Sequence, residues 1–516
     1  MKRIVIIGAG PAGLTAAYTI LKKSSQFEVI ILEEEKQVGG ISKTITYNNN
    51  KMDLGGHRFF SKSRQINNLW QEILPLQGKP SYDDKILNKK KNFALAGPDP
   101  EQETKTLLIR NRVSRIYYQK KFFDYPISLK FKVFKALSLK TTLLCGASYL
   151  KSTIFKKEET NLENFYINRF GTKLYSIFFE GYTEKLWGKS PKEIDASWGS
   201  QRVKGLSIKK IIKDYVYRVF NLESKEKETS LIEEFYYPKY GPGQMWEEMS
   251  KQIIKMGGKI LNEHKVVKIH KKNSRINNVT CLHNGKVKVI EGDYFISSMP
   301  IKDLINSMNN VPSNIKKIST NLPYRDFITI GLVVKRLALK NTTDIKTLNN
   351  IVPDCWIYVQ GKEEKLGRIQ IFNNWSPYLV NDINNTISLG LEYFCNENDE
   401  FWCKTDAELK ELAIKELIKM DILEAESDVL DYHVEKVKKA YPAYFDSYKD
   451  FPQVKKYLDS ITNLYCIGRN GQHRYNNMDH SMETAIKAAD IILNNKTDKE
   501  PIWNVNTDEA YHEEKK

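Results

Sequence analysis

The sequence predicts an α/β fold in which one parallel-sheet domain is assembled from separate pieces of chain and carries two insertions. Three observations predict it. A short β-branched run, Arg3 to Ile7, passes without a spacer into Gly8-Ala9-Gly10-Pro11-Ala12-Gly13 and then into the helical pattern Leu14 to Leu21. Further strand-like runs recur far down the chain, at 257–269, 293–300 and 464–469. The intervals between them carry other patterns: roughly 76 to 234 reads as a helical domain, and roughly 301 to 454 as a mixed, largely antiparallel sheet domain. The pieces 1–75, 235–300 and 455–495 are therefore expected to form the parallel-sheet domain, with 496–516 as a charged tail.

Composition narrows the chemistry. At 516 residues, with 41% hydrophobic and 11% aromatic residues, the chain has material for two or three domains with substantial cores. Its net charge of +17 comes from 80 Lys and Arg against 63 Asp and Glu, spread along the chain. Most of that excess reads as lysine-rich solvated faces; the rest favours anionic ligands such as nucleotides, or an acidic membrane surface. No basic run carries interleaved aromatics, so no nucleic-acid groove is expected.

Six cysteines (Cys145, Cys281, Cys355, Cys395, Cys403 and Cys466) show neither CxxC spacing nor a zinc-like pairing with His. They read as reduced, mostly buried thiols, and no metal site is expected. A strand beginning within three residues of Met1 leaves no room for a signal peptide, so the expected location is the cytoplasm. Leu129 to Phe155 is the most membrane-like stretch, but Lys130, Lys132, Lys135, Lys140 and Lys151 interrupt the roughly 20 apolar residues that a span needs. It reads as a basic amphipathic surface, with peripheral contact to an anionic membrane as a second reading.

The glycine run has a physical reason at each position. Gly8 permits the tight turn, Gly10 lets a pyrophosphate approach the backbone, and Gly13 lets helix and strand pack closely, with Pro11 and Ala12 opening a helix whose N-terminus faces negative charge. A second strand, Glu28 to Leu32, ends at Glu33, about 20 residues beyond the motif, where a carboxylate can accept both ribose hydroxyls. This is a Rossmann-like pattern. Val38-Gly39-Gly40 adds a second backbone approach near the phosphates, a pairing that resembles FAD-linked oxidases more than NAD dehydrogenases. The expected cofactor is FAD, held in a GR2-type domain.

The later strands fit the same domain. The run from Gly257 to Ile269 looks like the strand that passes the adenine, with Val267 against it, and Asp293 to Pro300 looks like the strand returning from an inserted hairpin. The last piece is the strand Leu464 to Arg469, a loop, and a helical pattern from about Ser481 to Leu493. In such a fold that helix aims its N-terminus at the flavin pyrimidine, where it favours a reduced, anionic ring.

Motifs in and around the insertions resemble those of the UDP-galactopyranose mutases, particularly the longer eukaryotic-type enzymes, in order through nearly the whole chain. They are Gly55-Gly56-His57-Arg58-Phe59-Phe60-Ser61; Arg112-Val113-Ser114-Arg115 with Phe123-Asp124-Tyr125-Pro126; the block Phe178 to Trp187, with Arg202 fifteen residues later; Cys355-Trp356-Ile357-Tyr358 with Arg368 and Phe372 to Pro377; and Tyr441-Pro442 before Gly468 to Ser481. Bland readings stand beside them. His57 is also compatible with a capped surface turn, Trp187 and Trp198 with core residues, and Trp356 and Tyr358 with a cross-strand aromatic cluster.

The resemblance implies that Gly56 and His57 lie on a mobile loop over the flavin, that Phe178, Trp187, Trp356, Tyr358, Tyr125, Tyr441 and Tyr475 wall or contact the substrate, and that Gly468, Arg469, Asn477 and Met478 join it to the flavin. Arg202, Arg368 and Arg469 are implied to converge on one diphosphate, a set of planar forks hard to justify without an anion. Thr183 departs from the family, which places an amide side chain there, and the Tyr475 to His480 stretch is two residues short with Met478 in place of an amide.

The implied activity is that of a flavin-dependent nucleotide-sugar mutase. N5 of reduced FAD attacks the anomeric carbon of an NDP-hexose, interconverting pyranose and furanose forms for a surface glycan without net redox change. NADH or NADPH is the implied reductant. A protoporphyrinogen-oxidase-like or amine-oxidase-like oxidoreductase on the same frame is the alternative, and a homo-oligomer is compatible with either.

Overall fold

The computed structural model describes residues 1–125, 139–196, 199 and 234–506. Pro126, Trp198, Arg202 and the tail residues 507–516 lie outside the described residues. The fold is α/β, as expected, and the chain forms two compact units: Met1–Ile109 with Tyr236–Asp326 and the described residues from Val437 onward, and Arg110–Phe235 with Phe327–Lys436.

The first unit is built on a five-stranded parallel sheet. Its order is Leu464–Cys466, Tyr294–Ser297, Lys2–Ile7, Phe27–Leu32 and Lys259–Leu261. Both faces are covered, which is why these strands read as continuous apolar runs. Alternation along the first strand sends Ile4 and Ile6 into one layer, with Ala16, Trp246, Met249 and Met482. Val5 and Ile7 enter the other, with Val266, Ile276, Ile301 and Val454. Pro11 begins the helix Pro11–Lys23, where its missing N–H costs nothing. The expected hairpin is a three-stranded antiparallel sheet, Lys265–Lys272, Arg275–His283 and Lys286–Glu291.

The helix near the end of the chain spans Met478–Leu493, starting three residues before the expected Ser481. Asn477 caps it reciprocally with His480, and Asp479 places an acid in the first turn, so a cap and the helix dipole extend it backward.

The second unit carries most of a seven-stranded mixed sheet in the order Val429–Pro442, Tyr324–Val334, Ile387–Cys395, Leu366–Ile371, Trp356–Val359, Ser114–Tyr118 and Lys121–Asp124. Behind it packs the helix Asp406–Lys419, started by a Thr405–Glu408 capping box, with Leu409, Ala413 and Leu417 in the core. The helices Leu139–Ile154, Leu162–Tyr175 and Gly181–Trp187 belong to the same unit.

These boundaries differ from those read off the sequence. Segments 76–109, 301–326 and 437–454 group with the first unit rather than with the insertions. Bonds to the piece that starts at Tyr236 explain part of this: Lys239 N–H donates to the Thr106 carbonyl (2.9 Å) and the Gln244 side-chain amide to that of Thr104 (2.7 Å). Ile301, Leu304 and Ile305 pack in the layer that holds Val5 and Ile7. The interval read as helical also contains three strands, Leu107–Asn111, Ser114–Tyr118 and Lys121–Asp124. The hairpin joining the last two turns through Gln119 and Lys120, both at positive φ (49° and 59°), without the Gly or Asn that usually marks such a turn.

Candidate flavin site and an arginine–tyrosine cluster

In the first unit the two glycine loops meet. Gly8, at φ +98°, donates to the Leu32 carbonyl (2.8 Å), and Gly39, at φ +112°, donates to that of Ala9 (2.9 Å). A Cβ on Gly13 would lie 1.9 Å from the Gly8 carbonyl oxygen, so only glycine lets the helix seat on the loop. Gly10 and Gly40 face each other, a Cβ on Gly40 lying 3.5 Å from the Gly10 Cα, so the loops present bare backbone to one another. Gly468, at φ +77°, packs on Ala12: a Cβ there would come within 2.9 Å of the alanine methyl.

Glu33 stands at the end of the second strand, buried, with one carboxylate oxygen accepting from Ala9 N–H (2.6 Å) and the other from Glu35 N–H (3.0 Å). Burial raises its pKa, and those two donors oppose the shift. Glu34 and Glu35 point away, to Lys265 (3.2 Å) and Lys43. Val267 is the extra residue of a β-bulge: Val266 pairs with Cys281 and Lys268 with Thr280, leaving Val267 outside the ladder and 38% exposed. A bulge frees backbone groups, as contact with a base edge requires. Bare glycine backbone to donate to phosphates, a fixed carboxylate to accept from ribose hydroxyls and a freed strand residue are what an adenosine diphosphate group needs, so the residues present fit FAD.

Two further elements of the same unit gather beyond the cradle. Gly55 is buried at φ +92° and Gly56 is exposed. His57 Nδ1 lies 2.9 Å from the Gly55 carbonyl, so Nδ1 carries the proton and Nε2 keeps its lone pair. Burial, aided by the Arg469 cation, pushes this imidazole down to about 4 and keeps it neutral. The loop is anchored at Phe59, which exchanges both backbone hydrogen bonds with Tyr236 (3.0 Å each) and sets its ring against Trp70.

Arg469 lies beside two tyrosines, its guanidinium 4.8 Å from the Tyr475 ring and 5.7 Å from that of Tyr441. The rings themselves lie 5.7 Å apart at 11°. Its Nε donates to the Asn476 carbonyl (2.7 Å) and Nη1 to that of Ala440 (3.1 Å). Among the described residues it has no carboxylate partner. His480 is also held neutral, pushed down to about 4 by burial and by Arg469; its Nδ1 accepts from Asn477 N–H (3.2 Å). Asn477 and Met478 open the last long helix, with the Met478 side chain against the apolar layer.

In the second unit a cluster forms across three strands. Tyr358, Arg368 and Glu392 stand in one cross-strand row, and Trp356, Gln370 and Gly390 in another. Arg368 Nε donates to the Tyr182 hydroxyl (2.8 Å) and Nη1 to Glu392 (3.2 Å), while Gln370 donates to the other Glu392 oxygen (3.0 Å). Burial raises the Glu392 pKa against the opposing pull of Arg368. Tyr125 packs on Tyr358 (4.4 Å), and Arg112 lies 5.9 Å from both the Tyr125 and Trp356 rings.

Arg115, quoted in the same motif, has another role. It forms a two-pronged pair with buried Asp354 (2.5 to 3.1 Å) that fixes a strand edge. Phe178 packs with Phe123 and Tyr118, beside rather than within the tyrosine group. Trp187 and Thr183 are buried on the helix Gly181–Trp187. That helix is tied to the sheet by Lys185, whose ammonium donates to the Val359 and Leu366 carbonyls (3.0 and 2.8 Å) and is pushed down to about 8 by burial.

The structure thus groups His57, Arg469, Tyr441, Tyr475 and the glycine loops in one unit, and Tyr125, Trp356, Tyr358 and Arg368 in the other. Sequence reading missed Tyr182, Gln370, Glu392 and His480 as members of these groups. Glu392 had left a signal: it is the lone charged residue in the buried strand Ile387–Cys395. Among the described residues no group of three His, Cys, Asp or Glu could hold a metal, and five of the six cysteines are buried. No helix among them is long and apolar enough to cross a membrane.

Comparison with known proteins agrees with the cradle. A crystal structure of reduced UDP-galactopyranose mutase superposes with a TM-score of 0.76 at 21% identity, covering 99% of this chain and 100% of that one. A candidate protoporphyrinogen oxidase from Exiguobacterium sp. 255-15 superposes with a TM-score of 0.65 at 12% identity, covering 95% and 99%. At such identities the likeness is one of fold. An inactive all-trans-retinol 13,14-reductase of Danio rerio is 26% identical over 147 residues, 28% of this chain and only 23% of the relative's length. The profile of the flavin-containing amine oxidoreductases matches residues 11–493, from Pro11 inside the glycine loop to the end of the last long helix. The chain belongs to the flavin-containing amine oxidoreductase family.

Proposed function

We propose that the chain is a flavin-dependent nucleotide-sugar mutase of the UDP-galactopyranose mutase kind, interconverting pyranose and furanose forms of an NDP-hexose for surface-glycan synthesis. The observation that carries this reading is Arg469, a half-buried permanent cation whose described partners are two carbonyls and two tyrosine rings. A charge so placed calls for an anion from outside the chain, and a rigid planar fork suits a diphosphate.

When bound and reduced, FAD supplies the nucleophile N5, so the reaction needs no acid–base triad and no metal. The glycine loops, Glu33 and Val267 hold its nucleotide end. His57 is kept neutral with a bare Nε2 and serves as a hydrogen-bond or proton acceptor. Tyr125, Trp356 and Tyr358 offer ring faces to base or sugar, and Arg368, oriented by Tyr182 and Glu392, is assigned to phosphate oxygens. Phe178, Trp187 and Arg202 are assigned to the same substrate on the strength of the resemblance alone. NADH or NADPH is assigned as reductant.

A second reading, an FAD-dependent oxidoreductase, is supported by the family and by the oxidase likeness. The two separate in one experiment. Dithionite-reduced protein is incubated anaerobically with a panel of UDP-hexoses, and the products are separated by chromatography. The mutase reading expects furanose product, and UDP binding weakened about tenfold or more in Arg469→Ala, as loss of a charge-assisted contact implies. Absence of both binding and turnover for every nucleotide sugar, with oxygen uptake on an amine or porphyrinogen, overturns it.

A further inference from the structure

The helix Leu139–Ile154 is amphipathic the wrong way round for a core helix. Its buried face is small and polar: Cys145 and Ser152 are buried, and Ser148 Oγ accepts from Lys173 N–H (2.9 Å). The next helix, Leu162–Tyr175, comes close enough there that a Cβ on Gly171, at φ +78°, would lie 2.7 Å from the Tyr149 nitrogen. The outward face carries the large apolar groups instead, with Leu143 at 67%, Leu150 at 63% and Ile154 at 73% exposure. Positions i, i+7 and i+11 fall on one stripe at 3.6 residues per turn. Leu144 and Phe155 are exposed beside that stripe.

Two cations lie within this apolar surface. By helical position Lys140 and Lys151, three turns apart and both exposed, fall between the Leu143–Leu150–Ile154 stripe and the Leu144–Phe155 pair. Neither makes an ion pair among the described residues, and the helix itself contains no acidic residue.

We propose that this face docks the protein on the surface of an anionic lipid bilayer, the leucine and isoleucine side chains entering the interface and Lys140 and Lys151 reaching the lipid phosphates. The lysines decide between a bilayer and a protein partner. Lysine is depleted from the buried centre of protein–protein interfaces. At a bilayer its stem covers apolar surface while the ammonium rises to the headgroups, so cations inside an apolar face are an asset there. The proposal does not depend on the reaction catalysed.

Co-flotation of the full flavin-loaded protein with vesicles tests it. Expected are binding to vesicles of equal parts phosphatidylcholine and phosphatidylglycerol, little binding to phosphatidylcholine alone, and release by salt. Lys140→Gln with Lys151→Gln weakens partitioning by about fivefold per lysine, and Leu143→Glu with Ile154→Glu abolishes it, both with parent flavin content and melting temperature because all four positions are exposed. No flotation with the anionic vesicles overturns the proposal, as does equal binding to both compositions. So does light scattering that shows a dimer which Leu143→Glu with Ile154→Glu converts to monomer, for then the occupant is a second copy of the chain.

Discussion

The flavin cradle of the first unit and the arginine–tyrosine cluster of the second are made of different material. The cradle is backbone: Gly8, Gly13, Gly39 and Gly468 are required by φ values or by clashes that any side chain would bring. The cluster is side chain: Tyr125, Tyr182, Tyr358, Arg368 and Glu392 are placed by strand alternation and cross-strand register, on a backbone that many sequences could adopt. A backbone site tolerates almost no change at its glycines. A side-chain site can be emptied of function while its fold stands.

That contrast sets the order of expected effects. The largest is Gly13→Ala. Its methyl would meet the Gly8 carbonyl at 1.9 Å, and moving the helix away from the strand costs about 3 kcal/mol or more. Purified protein is expected with little or no flavin and a melting temperature lower by 10 °C or so; retention of both would break the account of the cradle.

Next is Glu392→Ala, which leaves the half-buried Arg368 without its carboxylate and removes the acceptor for Gln370. Breaking a buried pair costs about 3 kcal/mol. Here the comparison is sharpened by a split readout: flavin content is expected to hold while UDP binding falls. Loss of flavin in this variant would mean that the two regions are not separable in the way their materials suggest.

The smallest effect is one of pH. His480 is pushed down to about 4 in the folded protein from an ordinary value near 6.5. It is neutral when folded and takes up a proton on unfolding between those values. Its contribution to stability is therefore complete above about pH 6.5 and is lost as pH falls through 4. Asp53, buried and raised to about 7, works in the opposite sense over part of the same window, so the total slope mixes both. The measurement is a difference. Melting curves of the parent and His480→Gln from pH 4 to 7 should differ by about one proton in slope, with the variant flatter; parallel curves would show that the imidazole is not held neutral.

The same contrast explains what was legible in the sequence. Glycine and its spacing are visible in one chain, so the loop at Gly8, its carboxylate Glu33 and the returning strands at 293 and 464 were all readable. The cluster left weaker traces, because tyrosine and arginine at strand spacing are ordinary core-edge residues unless their neighbours in space are known. Tyr182 was inside a quoted motif yet had no assigned role until its hydroxyl was found on Arg368 Nε. The hairpin at Gln119 and Lys120 was invisible because left-handed geometry there is held by residues that usually avoid it. The helix beginning at Met478 was placed late because its cap, Asn477, sits in a polar run that reads as loop.

The packing of Gly468 on Ala12 bears on the order of synthesis. Residues 8 to 40 leave the ribosome early, but the strand Leu464–Cys466 that seals the sheet beside Tyr294–Ser297, and the glycine that closes over the first helix, are among the last parts of the described chain to be translated. Pairings so distant in sequence form slowly. A nascent chain thus exposes the glycine loop without the wall that completes it until the strand Leu464–Cys466 and Gly468 have been made, and closure of the cradle waits on that distant segment.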